Sequence, residues 1–160
     1  MAGRGHKERH TSELNDIRKE LMEEVKKLKP EEFNWAPRPD MKSCKGLLQE
    51  IGSMEKICVY WLANQKKLDW EKAVPWSGND SQSTLNDLEK IRAETLKYLD
   101  ACTEDKLQSP VPVPEEWHQY MGKTVEPEEM LRWVARHEYY HLGQLITYRW
   151  ILGDNPYKKT

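Results

Sequence analysis

His137-Glu138-Tyr139-Tyr140-His141 stands at the centre of one long periodic segment, Glu126 to Gly153, and the reading of that segment decides the fold. Thr124 marks its approach, Pro127 falls in its first turn, and Glu128 and Glu129 follow. A proline there gives up only an amide hydrogen that a helix cannot use, and the two acids complement the positive end of the helix dipole. Gly153, able to take a left-handed C-terminal conformation, and then Pro156 mark the stop. At about 100° per residue, His137 and His141 lie about 40° apart on this helix. Met130, Trp133, Val134, Gln144, Tyr148, Ile151 and Leu152 project close to one or the other, so the two imidazoles sit in an apolar stripe. Two rings one turn apart either hold one divalent ion between them or each find a buried hydrogen-bond partner.

The same five residues spell His-Glu-x-x-His, the zinc-protease helix motif, which requires a third ligand downstream. After His141 the chain contains no His, no Glu and one acid, Asp154, inside the terminal turn. Gly143 and Gln144 also miss the spacing of the longer protease form. A third ligand is expected from upstream, and the pattern does not favour a protease of that type.

With 160 residues, 32% charged and 38% hydrophobic, the chain is expected to form a single domain over 1–160, all-α, with residues 1–10 as a flexible tail. A formal charge of −2 offers no general attraction for nucleic acid or anionic membrane. The longest apolar run, Ile57 to Ala63, is too short to span a bilayer, and the first ten residues lack the apolar core of a secretory signal. Cys44, Cys58 and Cys102 form no framework and read as reduced thiols, so the expected location is cytoplasmic.

Upstream, Leu14, Ile17, Leu21, Val25 and Leu28 predict a first helix from Thr11 or Ser12 to Lys29, with His6 and His10 exposed ahead of it. Ser43 predicts the cap of a second helix, from Cys44 to Asn64. On it, Leu47, Ile51, Met54, Ile57, Cys58, Trp61 and Leu62 define an apolar arc that contains Glu50, while Glu55 falls near the arc's edge. A carboxylate in such an arc is costly unless a cation, a hydrogen bond or a metal compensates it. Glu50 is therefore either the third ligand or the partner of a Lys or Arg. A third helix from Ser83 or Thr84 to Ala101 is expected to be scaffold, with its acids facing solvent. The two long connections carry Trp70 and Trp76, then Trp117, His118 and Tyr120. These aromatics either pack the loops down or line an entrance. The proline-rich 109–114 stretch followed by Gly122 suggests a short hairpin.

Leu47-Leu48-Gln49-Glu50-Ile51 on the second helix and His137-Glu138-Tyr139-Tyr140-His141-Leu142-Gly143-Gln144-Leu145 on the last make the chain resemble the DinB/YfiT-like family, which is distinct from the similarly named DNA polymerase. The resemblance implies an all-α four-helix bundle with long connections, in up-down-down-up order. It also implies one divalent ion (nickel, zinc or manganese) and often a homodimer. Relatives include thiol-dependent transferases and isomerases that use bacillithiol, mycothiol or glutathione. The family usually supplies three histidines; here Glu50 stands where the histidine of the second helix normally sits. The expected metal ligands are thus Glu50, His137 and His141, with Glu138 orienting a ligand or acting as base beside a metal-activated water. The expected function is a metal-dependent transferase or hydrolase acting on a small molecule, with a low-molecular-weight thiol as cosubstrate. The alternative is a stress-related metal-binding or structural bundle without turnover. An Fe(II) oxygenase uses the same ligand types but is usually built on a β-barrel.

Overall fold

The computed structural model describes residues 5–158. Four long helices carry the fold: α1 (His6–Val25), α2 (Cys44–Asn64), α3 (Ser81–Ala101) and, after two short helices, α6 (Pro127–Ile151). The short ones are α4 (Glu104–Gln108) and α5 (His118–Met121). β1 (Val111–Pro112), between them, pairs antiparallel with β2 (Thr124–Val125), which follows α5, and the pair is the short hairpin that the proline-rich stretch suggests.

Local chemistry sets the ends. Ser43 Oγ accepts the amide of Gly46 at 3.1 Å and starts α2, and Asp80 accepts the amide of Ser83 at 2.9 Å and starts α3. Pro127 occupies the first turn of α6, and Gly153, at φ +102°, turns the chain away after it. The second and last helices match their predicted spans closely. The first does not: α1 begins at His6, so residues 6–10 are helix and not a tail, while residues 1–4 lie outside the described residues. His6 Nδ1 bonds Glu128 Oε2 at 2.6 Å, and that anchor explains why helix forms before the apolar repeat begins.

Cross-helix pairs fix the directions. Glu55 meets Arg92 and Thr95 while Gly52 meets Leu88, so α2 and α3 run parallel. His6 meets Glu128, and Arg18 meets Glu138, so α1 and α6 also run parallel. Lys42 is bonded by Tyr148 and Glu50 faces His141, which makes α2 antiparallel to α6. The order is up-down-down-up, and the long connection from α2 to α3 is the stretch that returns the chain to start a second descending helix. Trp76 in that connection folds back onto the core, where a Cβ at Gly52 would stand 2.7 Å from its ring and 2.8 Å from Leu88. Glycine is the residue that permits that approach.

The apolar core is divided in two. One half gathers Leu21, Leu48, Ile51, Leu88, Leu142 and Leu145; the other gathers Leu14, Leu62, Leu99, Met130, Leu131 and Val134. Burial of each such side chain contributes roughly 1.5–3 kcal/mol. Between the halves lies a buried charged layer with one residue from each long helix: Arg18, Glu55, Arg92 and Glu138. Arg18 donates to Glu138 at 2.6 Å and to Glu55 at 2.7 Å, Arg92 donates to Glu55 at 2.7 Å and also bonds Glu138, and Thr95 donates to Glu55 at 2.6 Å. Burial opposes the charge on Glu55, but Arg18 and Arg92 outweigh it and hold its carboxyl down at about 2. Burial likewise works against the charge on Arg18, which Glu138 and Glu55 reverse, raising its pKa.

Two expectations change here. Glu55, placed at the edge of the apolar arc, is fully buried, whereas the side chain of Glu50, placed inside it, keeps 19% exposure. The third helix is also more than scaffold, since it contributes Arg92 to the charged layer. Its Asp87 is buried and accepts the amide and hydroxyl of Ser77 at 2.7 and 2.9 Å.

Candidate metal centre

The rigid part of the site is α6, which presents His137 and His141 one turn apart, facing α2. Tyr148, about two turns beyond His141, donates to Lys42 O at 3.0 Å and packs edge-on against Trp35, locking the start of α2 against α6. This contact brings Glu50 to the two imidazoles. His141 Nε2 lies 3.2 Å from His137 Nε2 and 3.8 Å from Glu50 Oε2, and the three donor atoms all fall within 4.8 Å of one another. Metal–ligand bonds of about 2.1 Å at tetrahedral angles place neighbouring donors about 3.4 Å apart. The set could hold a small divalent ion once the side chains close around it.

Protonation favours the same use. His141 Nδ1 lies 2.6 Å from Gln144 Oε1, an acceptor, so the ring proton is assigned to Nδ1 and the Nε2 lone pair faces His137. Burial first, then the neighbouring His141 and Lys42, push His137 down to about 4 against the pull of Glu50. His137 is a neutral ring at physiological pH, and its one hydrogen, donated from Nε2 to His141 Nε2, would shift to Nδ1 when Nε2 takes an ion. Trp133 stacks on it at 5.3 Å between centroids and fixes its plane. Glu50 also pairs with the ammonium of Lys42, whose half-exposed side chain is free to swing into solvent. Both uses expected of Glu50, metal donor and partner of a lysine, are therefore compatible with its position.

His137 forms part of the wall of a cavity of about 530 Å³. Met54, Ile57, Leu68, Trp70, Trp117 and Trp133 make it mainly apolar, and a Lys67–Glu116 ion pair at 2.7 Å sits at its edge. Trp117, packed against the core, and the exposed Trp70 thus both line the cavity. Trp61 instead donates to Pro112 O at 2.9 Å and props Trp117 edge-on at 6.2 Å. On the other side, Glu50, Tyr140, His141 and Gln144 border a second hollow of about 300 Å³. Cys58 reaches the large cavity, but burial, with a contribution from Glu55, pushes its thiol up to about 12, so it supplies no thiolate.

Glu138 is not at this centre. Its carboxylate is 1% exposed and bound by Arg18 and Arg92 in the charged layer, on a face of α6 turned away from the donors. The expectation that it orients a ligand or acts as a base is corrected on that ground. His6 and His10, read as exposed, are half-buried and buried respectively, and both reach Glu128. The repeated His-x-x-x-His spacing was the signal for that cluster.

The profile of the DinB superfamily matches residues 13–145, a span that contains Glu50, His137 and His141. Among solved structures, the chain is similar to a conserved protein from Enterococcus faecalis at a TM-score of 0.73 and 19% identity, covering 95% of this chain and 100% of that one. It is similar to a DinB-like protein from Bacillus subtilis at a TM-score of 0.68 and 15% identity, covering 94% and 96%. A DinB-like protein from Bacillus cereus aligns at a TM-score of 0.67 and 12% identity, covering 86% of each chain. At these identities the likeness is one of fold. Comparison with curated proteins finds no match. The helical architecture and the long sequence match agree, and the chain belongs to the DinB superfamily.

Proposed function

We propose that this protein is a metal-dependent enzyme, a transferase or hydrolase of small molecules that uses a low-molecular-weight thiol as cosubstrate. The observation that carries the reading is the position of His137, which belongs both to the donor set and to the wall of the 530 Å³ apolar cavity. Glu50, His137 and His141 would hold one ion of nickel, zinc or manganese. Such an ion supplies a Lewis-acidic centre with coordination positions to spare, able to make a thiol or a water nucleophilic near neutral pH. The chain's own groups do the rest. Gln144 keeps His141 in the tautomer that offers Nε2, Trp133 holds the ring of His137, and the tryptophan-lined cavity orients an apolar substrate and excludes bulk water from it.

The proposed working form is a cytoplasmic homodimer. The exposed Tyr139, Tyr140, Trp150 and Ile151 support it, since they lie within about 120° of one another around α6. Among the described residues, no helix is long and apolar enough to cross a membrane.

The test is a screen of apo and Zn-, Ni- or Mn-loaded protein against bacillithiol, mycothiol and glutathione paired with electrophiles and hydrolysable esters. Turnover that requires the metal and disappears in Glu50→Gln supports the enzyme. A metal-loaded protein with no metal-dependent turnover on any pair would leave the non-enzymatic bundle as the better reading. Glu50→Gln keeps the size of the side chain and removes its charge, so metal affinity is expected to fall by at least about tenfold while the fold is retained. Glu50→His is expected to recover binding. Calorimetric titration with Zn and Ni checks both, and unchanged affinity in Glu50→Gln would remove Glu50 from the ligand set.

A further inference from the structure

We infer that the chain carries a second divalent-metal site, formed by His6 and His10 of α1 with Glu128 of α6. Two imidazoles one helical turn apart converge on a single carboxylate oxygen: His6 Nδ1 lies 2.6 Å and His10 Nε2 3.5 Å from Glu128 Oε2. The donor atoms of the three residues fall within 4.8 Å of one another, as they do at the first centre. His10 is buried, with 5% of its surface exposed, so its ring has been carried out of water toward this oxygen.

The donor separations suit an ion. The 3.5 Å between His10 and Glu128 matches the donor spacing of about 3.4 Å in a tetrahedral site, and the closer His6 has room to withdraw because its side chain is 37% exposed. Gln108 stands 2.9 Å from His6 Nε2. Gln108 presents its amide nitrogen to the ring, so Nε2 accepts and Nδ1 carries the hydrogen toward Glu128; a bound ion would take the place of that hydrogen.

The site is separate from the first. Glu128 precedes His137 by nine positions on one helix, which is about 14 Å along its axis. Both α1 and α6 begin here, and their positive dipole ends disfavour a cation, but that effect is small beside coordination by two nitrogens and a carboxylate. The donor chemistry selects a borderline ion such as zinc, cobalt or nickel over magnesium or calcium. An ion at this place would tie the first turn of α1 to the first turn of α6. With three protein donors and a half-exposed ligand, it would keep at least one exchangeable position.

The decisive background is the full-length protein carrying His137→Ala and His141→Ala, which lacks the donors of the first centre. It is titrated with Zn²⁺ by calorimetry and with Co²⁺ by visible absorption. One saturable equivalent is expected, with the intense visible bands of four- or five-coordinate cobalt in place of the faint absorption of the hydrated ion. Adding Glu128→Gln to this background is expected to weaken Zn²⁺ binding by at least about tenfold. His6→Gln is expected to do the same, and serves as the comparison if Glu128→Gln fails to fold. Failure of the first centre is distinguishable, because wild type and the double variant would then bind the same single equivalent. The inference is overturned if the double variant binds no saturable equivalent, or if binding survives both Glu128→Gln and His6→Gln undiminished. In that event the cluster is a hydrogen-bonded anchor alone.

Discussion

Replacing Glu138 by Ala is expected to destabilise the protein by about 3–5 kcal/mol. For a chain of this size that lowers the melting temperature by roughly 6–20 °C. The cause is not lost packing. Glu138 is one of two buried carboxylates balancing two largely buried guanidinium groups, and its removal leaves Glu55 as the one carboxylate shared by Arg18 and Arg92. An uncompensated buried charge costs far more than the intact network contributes. The contrast that tests this is the joint replacement Arg18→Met, Glu55→Leu, Arg92→Met and Glu138→Leu. It removes all four charges and is expected to cost less than Glu138→Ala alone. If the single variant melts like wild type, the layer is not the closed network described above. The same variant bears on the metal centre: assayed below its melting point, Glu138→Ala should bind Zn as wild type does, since its carboxylate faces the bundle axis.

The layer also sets the acid behaviour. The folded-state carboxyl of Glu55 lies at about 2, below its ordinary 4.5. A depressed carboxyl contributes stability that is complete above the unfolded value and declines as pH falls from about 4.5 toward 2. Urea midpoints measured between pH 7 and 2.5 are expected to hold steady at first and then fall below pH 4.5. A midpoint that stays constant to pH 2.5 would contradict the pairing of Glu55 with its two arginines.

Much of this architecture is legible in the sequence, because the helices announce their own ends. Ser43, Pro127 and Gly153 are local signals, and local signals survive the absence of tertiary information. The start of α1 was not legible for the opposite reason. His6 and His10 have no apolar repeat around them, and what holds them in helix is Glu128, more than a hundred residues away. The charged layer lay between these cases. Arg18 follows Leu14 and precedes Leu21; Glu55 follows Ile51 and precedes Cys58 and Leu62; Arg92 lies between Leu88 and Leu99; Glu138 lies between Val134 and Leu142. Each is a charge in an apolar register, and the four sum to zero. Taken one helix at a time they look like edge positions. Their pairing becomes visible only when all four are read as one layer.

The candidate cluster was legible to the level of residue identity, in that Glu50, His137 and His141 come together as a group that could hold a metal ion. What the sequence did not show is the support around them: Gln144 fixing the tautomer of His141, Trp133 stacked on His137, and Lys42 paired with Glu50. These contacts depend on rotamers and on the position of the loop before α2. Removing the two imidazoles together is expected to abolish binding at this centre. A lone carboxylate beside a half-exposed lysine has neither the donors nor the charge to retain a borderline ion. The loss should exceed that of Glu50→Gln, which leaves both nitrogens in place.

The most direct measurement is the metal content of wild-type protein and of the His137→Ala, His141→Ala double variant. Each is incubated with Zn, Ni or Mn, freed of unbound ion by gel filtration and assayed for metal per chain. The arrangement of Glu50, His137 and His141 predicts that wild type retains one equivalent more than the variant for at least one of the three metals. Equal metal content in the two proteins for all three ions would contradict it.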